Sequence, residues 1–194
     1  EIRNPLASLK GNAQLLEEAL ADGTRERRKA GVVVREAERI EKLVTGLLDF
    51  VRKGRMQLRE VALGDFVRPI VETVDAKRLA LESVNAPEKV SIDPERLGQA
   101  VENILRNALQ ASPTGAEVRV EGTERGWRLT VRDHGEGIAP EVAVRLFEPF
   151  RTTKTRGTGL GLAISRRIVE GHRGTIRGYN HAGGGAALEL EIPR

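Results

Sequence analysis

The sequence predicts an α+β protein in two parts. Residues 1–53 read as a helical hairpin that pairs with a second copy into a dimeric four-helix bundle, and residues 54–194 as an α/β sandwich. Three observations lead there. Over 1–53, apolar residues recur at three- and four-residue steps on either side of a single break. The polar, glycine-containing RKGR at 52–55 then separates that pattern from the remainder of the chain. Beyond it, short period-2 runs and longer helical runs mix without regular βαβ alternation.

In the first helix Ile2, Leu6, Leu9, Ala13, Leu16 and Leu20 share one face. ADGT at 21–24 breaks it: Gly23 ends the first helix and Thr24 can cap the second. Val33, Ala37, Ile40, Val44, Leu47 and Val51 form the second stripe. A two-helix hairpin cannot bury both stripes alone, so a homodimer through 1–53 is expected. The alternative is a hairpin packed on its own C-terminal part.

After the break, MQLREVAL (56–63) reads as a strand and GDFVRPIVETVDAKR (64–78) as a helix. LALESV (79–84) and KVSI (89–92) read as strands. Asp93 caps a long helix with Pro94 in its first turn, running to about Ser112. EVRVEGT (117–123) and GWRLTVRD (126–133) form an antiparallel pair. Residues 134–158 lack a clean period, 160–172 read as a helix, and strands come next at 174–179 and 186–192. The sum is a mixed sheet with helices on one face.

Composition narrows the function. Of 194 residues 31% are charged, with a net charge of +4 spread through mixed runs such as RERRK at 25–29, which reads as solvated helix rather than a nucleic-acid patch. Aromatics are only 3%, too few for base-stacking recognition. The absence of cysteine excludes disulfides and thiolate metal sites. No apolar run is long enough to span a bilayer, so no membrane contact is expected of this stretch.

Four clusters carry chemistry. Asn103 and Asn107, four apart, share a helical face, and amide oxygens are hard donors suited to Mg²⁺; they could equally hold loops from inside the fold. In DHGEG (133–137) Asp133 ends a strand where it can accept from an amino group, and Gly135 and Gly137 admit close backbone approach to a flat ligand. In LFEPFRTTK (146–154), Phe147 and Phe150 are expected to pin one end of a mobile segment, while Arg151 and Lys154 could reach a phosphate. GTGLGLAIS (157–165) runs three glycines into a helix start, a place where bare N–H groups meet phosphate, though it matches neither the Walker loop nor the dinucleotide fingerprint. The long interval between Gly137 and Gly157 suggests a functional lid.

Taken in order, Asn-x-x-x-Asn, D-x-G-x-G, F-x-x-F and G-x-G-x-G-L resemble the N, G1, F and G2 boxes of sensor histidine kinases of two-component systems, and the resemblance spans essentially the whole chain. It implies the ATP-binding fold shared with Hsp90-type ATPases. It makes Asn107 the main Mg²⁺ ligand with Asn103 beside it. It also assigns Asp133 to the adenine amino group, Gly135, Gly137 and Ile138 to the adenine pocket, and Gly157, Thr158, Gly159, Leu160, Gly161, Leu162 and Lys154 to the phosphates. His134, His172 and His181 match no phosphoacceptor and read as structural or surface residues.

The same resemblance accounts for EIRNPL. The family motif is His-Glu-x-x-Asn/Thr-Pro-Leu, so Glu1, Asn4, Pro5 and Leu6 match in order and the acceptor His belongs immediately before Glu1, outside this sequence. Glu1 would take a proton from the imidazole and Asn4 would orient water in a phosphatase reaction, the two catalytic positions expected here. The chain as it stands is therefore expected to bind ATP yet not autophosphorylate. The expected partner is the receiver domain of a response regulator. The expected compartment is the cytoplasm, for a parent protein that could itself be membrane-anchored. Two rival readings are a dimeric nucleotide-binding scaffold and a conformational ATPase of the same fold.

Overall fold

A computed structural model describes residues 3–51, 56–152 and 158–194. The chain divides into two compact units, Glu1–Arg52 with Thr152–Leu160, and Lys53–Arg151 with Gly161–Arg194.

The first unit is the hairpin of α1 (Arg3–Ala19) and α2 (Arg25–Val51). Its turn is built as the sequence suggests. Gly23 takes φ +78°, and Thr24 Oγ1 accepts the Arg27 N–H at 3.2 Å while donating to Ala21 O at 2.8 Å. The helices run antiparallel: Lys10 reaches Glu41 at 3.1 Å, and a Cβ on Gly31 would lie 2.6 Å from Glu17 Oε1. The small residues Ala13, Ala30 and Ala37, with Val34, are buried between them. Much of the apolar stripe is not: Leu9, Leu16, Ile40 and Leu47 stay exposed, Leu16 at 55%.

The second unit holds a five-stranded sheet ordered β2-β4-β5-β7-β6. β2 (Leu79–Val84) runs parallel to β4 (Ala116–Gly122). β4, β5 (Gly126–Asp133), β7 (Ala186–Pro193) and β6 (Thr175–Asn180) pair antiparallel in turn. β1 (Arg59–Ala62) and β3 (Lys89–Ile92) make a separate two-stranded ribbon. Period-2 alternation gives the large sheet two unlike faces. Inward, Val118, Leu129 and Leu190 stack against Leu97, Val101, Ile104 and Leu105 of α4 (Pro94–Ala111), all fully buried, each contributing about 1.5–3 kcal/mol. α3 (Leu63–Asp75) and α6 (Gly161–Gly171) share that face, as expected.

Outward, the sheet carries a charge ladder. Arg128 pairs with Glu191 at 3.0 Å and with Glu121 and Glu189 at 3.3 Å, and Arg177 meets Glu189 at 2.7 Å. The Arg128 hydrogen bond holds the Glu191 carboxyl below its usual range. Burial, with the nearby Glu189 charge, pushes the Tyr179 hydroxyl up.

Where the elements differ from expectation, side-chain hydrogen bonds and a proline decide. β1 starts at Arg59 rather than 56 because the Gln57 N–H is taken by Asp93 Oδ2 at 2.9 Å. α3 stops at Asp75, whose Oδ1 accepts from the N–H groups of Lys77 and Arg78 and closes a turn over 76–78. The aperiodic stretch after Gly137 contains a short helix, α5 (Pro140–Ala143), started by Pro140 at its first turn.

Two polar residues fix how α4 and α6 meet. Asp93 caps α4 by accepting the Arg96 N–H at 3.1 Å, and its own N–H donates to His172 Nε2 at 2.9 Å. His172 Nδ1 lies 2.8 Å from Ile168 O. Nε2 must be bare to accept, so the proton sits on Nδ1 and donates to that carbonyl. His172 is thus a buried structural residue, consistent with its reading from sequence.

Candidate functional site

α4 presents Asn103 and Asn107 half-buried on one face, between the core positions Ile104, Leu105 and Ala108 and the solvent-facing Glu102 and Arg106. Asn103 Nδ2 donates to Gly161 O at 3.4 Å, tying the middle of α4 to the first residue of α6. Ser165 Oγ reinforces the same junction, bonding Gly161 O at 3.0 Å and Ala100 O at 3.3 Å. A Cβ on Gly161 would only touch Asn103, 3.7 Å away, so this glycine is not required by packing against α4. Two amides a helical turn apart are a hard-oxygen donor set that fits Mg²⁺, which would keep water and phosphate oxygens as its remaining ligands.

Asp133 ends β5 and is 8% exposed. Its Oδ1 accepts two backbone N–H groups, Gly135 at 2.9 Å and Ala186 at 3.1 Å, so the carboxylate is fixed in orientation by the loop after it and by β7. The backbone crowding here demands glycine. A Cβ on Gly135 would lie 2.6 Å from Ala111 O, and one on Gly185, at φ +77°, only 1.9 Å from Asp133 O. Gly137 takes φ +87°.

Ile138 is gripped by a residue that sequence reasoning passed over. Asn180 Oδ1 accepts the Ile138 N–H at 2.6 Å and Asn180 Nδ2 donates to Ile138 O at 2.9 Å. Alternation along β6 puts Ile176, Gly178 and Asn180 on the helix-bearing face, and that register was the available signal. The triple glycine at 183–185, which admits Asp133 so closely, was likewise a visible cue.

The F-x-x-F expectation needs correcting at Phe150. Phe150 is 59% exposed and its backbone is left-handed at φ 62°, so it is not buried as an anchor. The residue seated on the sheet is Leu146, whose Cδ2 would lie 2.4 Å from a Cβ on Gly178. Arg151 pairs with Glu148 at 3.4 Å on the surface.

Of the other expected positions, Asn4 lies on α1 near its start, exposed. Thr158 Oγ1 accepts the Leu160 N–H at 3.4 Å, Gly159 takes φ +68°, Leu160 is fully buried, and Gly161 and Leu162 open α6. Glu1, Lys154 and Gly157 lie outside the described residues. The second unit thus brings together Asn103 with Gly161, Asp133 with Gly135, and Ile138 with Asn180.

The family described as histidine kinase-, DNA gyrase B-, and HSP90-like ATPase matches residues 92–194, and the His Kinase A (phospho-acceptor) domain matches residues 1–55. Sensor histidine kinase ZraS of Salmonella typhimurium is 35% identical over 202 residues, covering 100% of this chain and 43% of its own length. The chain therefore spans less than half of that relative. Among solved structures, full-length ShkA in complex with AMPPNP superposes with a TM-score of 0.75 at 26% identity, over 99% of this chain and 43% of that one. Histidine kinase ThkA in complex with response regulator protein TrrA gives 0.73 at 25%, over 99% and 58%. With both family domains matched in order along the chain, and with a relative 35% identical over its full extent, the chain belongs to the sensor histidine kinases of two-component systems.

Proposed function

We propose that this chain is the catalytic core of its parent kinase: residues 1–53 dimerise and carry the phosphotransfer helix, and residues 54–194 bind Mg-ATP. One observation carries the nucleotide reading. Asp133 is a nearly buried carboxylate whose Oδ1 is already committed to two backbone N–H groups, beside glycines that cannot be enlarged. Such a group suits an amino donor on a flat ring, with Oδ2 as the acceptor, and adenine supplies one. The AMPPNP complex of ShkA supports the same ligand class.

In the proposed reaction, an imidazole standing immediately before Glu1 in the intact protein attacks the γ-phosphorus. ADP leaves, and Glu1 takes the imidazole proton. Asn103 and Asn107 are the residues proposed to hold Mg²⁺, which when bound would offset charge on the phosphate oxygens. Thr158 to Leu162 offer backbone N–H groups at a helix start, suited to phosphate. The phosphoryl group then passes to an aspartate of a receiver domain, a partner class supported by the ThkA complex. Asn4 is proposed to orient water for hydrolysis of that phospho-aspartate, which returns the aspartate and releases inorganic phosphate. The exposed Leu9, Leu16, Ile40 and Leu47 favour a second copy of the hairpin as their cover.

Calorimetric titration with a non-hydrolysable ATP analogue tests the core of this. The wild-type chain is expected to bind, and Asp133→Asn, which turns an acceptor into a mixed amide, to weaken binding at least about tenfold. No binding by the wild type would favour the scaffold reading. Free phosphate from ATP without an acid-labile phosphohistidine in the full-length protein would favour a conformational ATPase.

A further inference from the structure

We infer that Asn180 is a positioning residue for the adenine end of the nucleotide site, acting through the backbone of Ile138; this rests on the ATP reading above. The geometry is specific. One side-chain amide meets both polar groups of a single peptide residue, accepting the Ile138 N–H at 2.6 Å and donating to its carbonyl at 2.9 Å. An N–H can only donate, so the orientation of the amide is fixed by what it bonds. The pairing imitates one rung of a sheet ladder where the chain has left the sheet.

The clamp is placed beyond the loop's anchor at Gly135. Asp133 Oδ1 holds the loop at Gly135, and the left-handed Gly137 comes next. A Cβ at Gly137 would come 2.8 Å from Asn180 Oδ1, so the glycine gives the amide its access to Ile138. Two residues earlier on the same face of β6, Gly178 leaves a seat shared by Leu146 and Ile138, whose Cδ atoms would lie 2.4 and 3.5 Å from an added Cβ. β6 therefore grips the 138–146 stretch at both ends, by an amide at one and by a missing side chain at the other. One of the two N–H groups that orient the Asp133 carboxylate belongs to this loop, at Gly135, and Asn180 is a polar restraint on the loop's far end, at Ile138.

Hydrogen exchange and nucleotide titration on the chain as it stands test this. In the wild type the Ile138 amide is expected to exchange slowly without nucleotide. Asn180→Ala should expose it to exchange and weaken AMPPNP roughly five- to tenfold, the effect of two partly solvated hydrogen bonds, while tripolyphosphate affinity is unchanged. Asn180→Asp supplies a readout that a purely structural role would not move. A protonated carboxyl can accept and donate as the amide does, whereas a carboxylate faces the Ile138 carbonyl with repulsion. Relative to wild type, its AMPPNP affinity should rise as pH falls from about 6 towards about 4, into the ordinary carboxyl range at about 3.9. Unchanged AMPPNP affinity in Asn180→Ala, equal losses for AMPPNP and tripolyphosphate, or a flat pH profile for Asn180→Asp would overturn the inference. A wild type that binds no AMPPNP would instead overturn the nucleotide reading, and the exchange rate at Ile138 would still report whether the clamp forms.

Discussion

Replacing Asp93 with Ala should loosen the second unit by an amount the structure allows one to work out. Three interactions go. The cap to the Arg96 N–H at 3.1 Å contributes about 1 kcal/mol. The bond from the Gln57 N–H at 2.9 Å, at an exposed residue that water can reach, contributes about 0.5–1.5 kcal/mol. The 3.7 Å ion pair with Arg96 adds little, since the arginine is half-exposed. The bond to His172 uses the backbone N–H of residue 93 and survives. The sum is about 2 kcal/mol, or a Tm lower by roughly 4–8 °C. Trp127 is the single tryptophan and is 1% exposed in the second unit, so its fluorescence reports that unit's transition.

The loss should depend on pH. Burial pushes the Asp93 carboxyl up, but the Gln57 and Arg96 hydrogen bonds and the Arg96 charge outweigh it and hold the group below its ordinary 3.8. A depressed carboxyl pKa stabilises the fold above the unfolded value, and that contribution is lost as pH falls through the folded one. The gap between wild type and Asp93→Ala should therefore be full at pH 5 and above and narrow below about pH 4. Asp93→Asn, whose single carbonyl oxygen keeps the cap but gives up the Gln57 N–H, should cost about 0.5–1.5 kcal/mol, less than Asp93→Ala. Equal costs for the two variants, or a gap that is the same at about pH 3 as at pH 7, would refute this account of the cap.

Gly135→Ala should both destabilise the second unit by about 1–3 kcal/mol and weaken AMPPNP, because its Cβ would meet the Ala111 carbonyl, a backbone atom that cannot swing away; unchanged affinity by titration would count against the close-approach argument. Leu16→Glu with Leu47→Glu places charge on the exposed stripe of the hairpin and should shift sedimentation from dimer to monomer at micromolar protein, leaving the Trp127 transition of the second unit in place.

Much of this fold was legible because the chemistry was local. The Asp93-Pro94 start of α4, the Gly23–Thr24 turn of the hairpin and the strands 79–84, 89–92 and 126–133 all derive from caps, glycine placement and period. The misplaced start of β1 had a distant cause. Gln57 is held out of β1 by a carboxylate 36 positions along the chain, which no window of sequence contains. Phe150 drew attention as a rare aromatic, yet the residue seated on the sheet is Leu146, and what selects it is the absence of a side chain at Gly178. Asn180 escaped for a similar reason. An asparagine at a strand end reads as a turn former, and its role depends on β6 lying inward-face towards Ile138.

The junction between α4 and α6 also limits how these helices can change in length. The end of α6 is tied to the start of α4 by His172 and Asp93, and the start of α6 to the middle of α4 by Gly161 and Asn103. The span from Asp93 to Asn103 rises about 15 Å, and the 11 residues of α6 rise about 16 Å, so the two ties fall into step. Inserting or deleting one residue in either span would shift one tie by about 1.5 Å and turn it by about 100° while its partner stayed put. Substitutions along these helices can be absorbed one at a time; a change of count in one would have to be answered in the other.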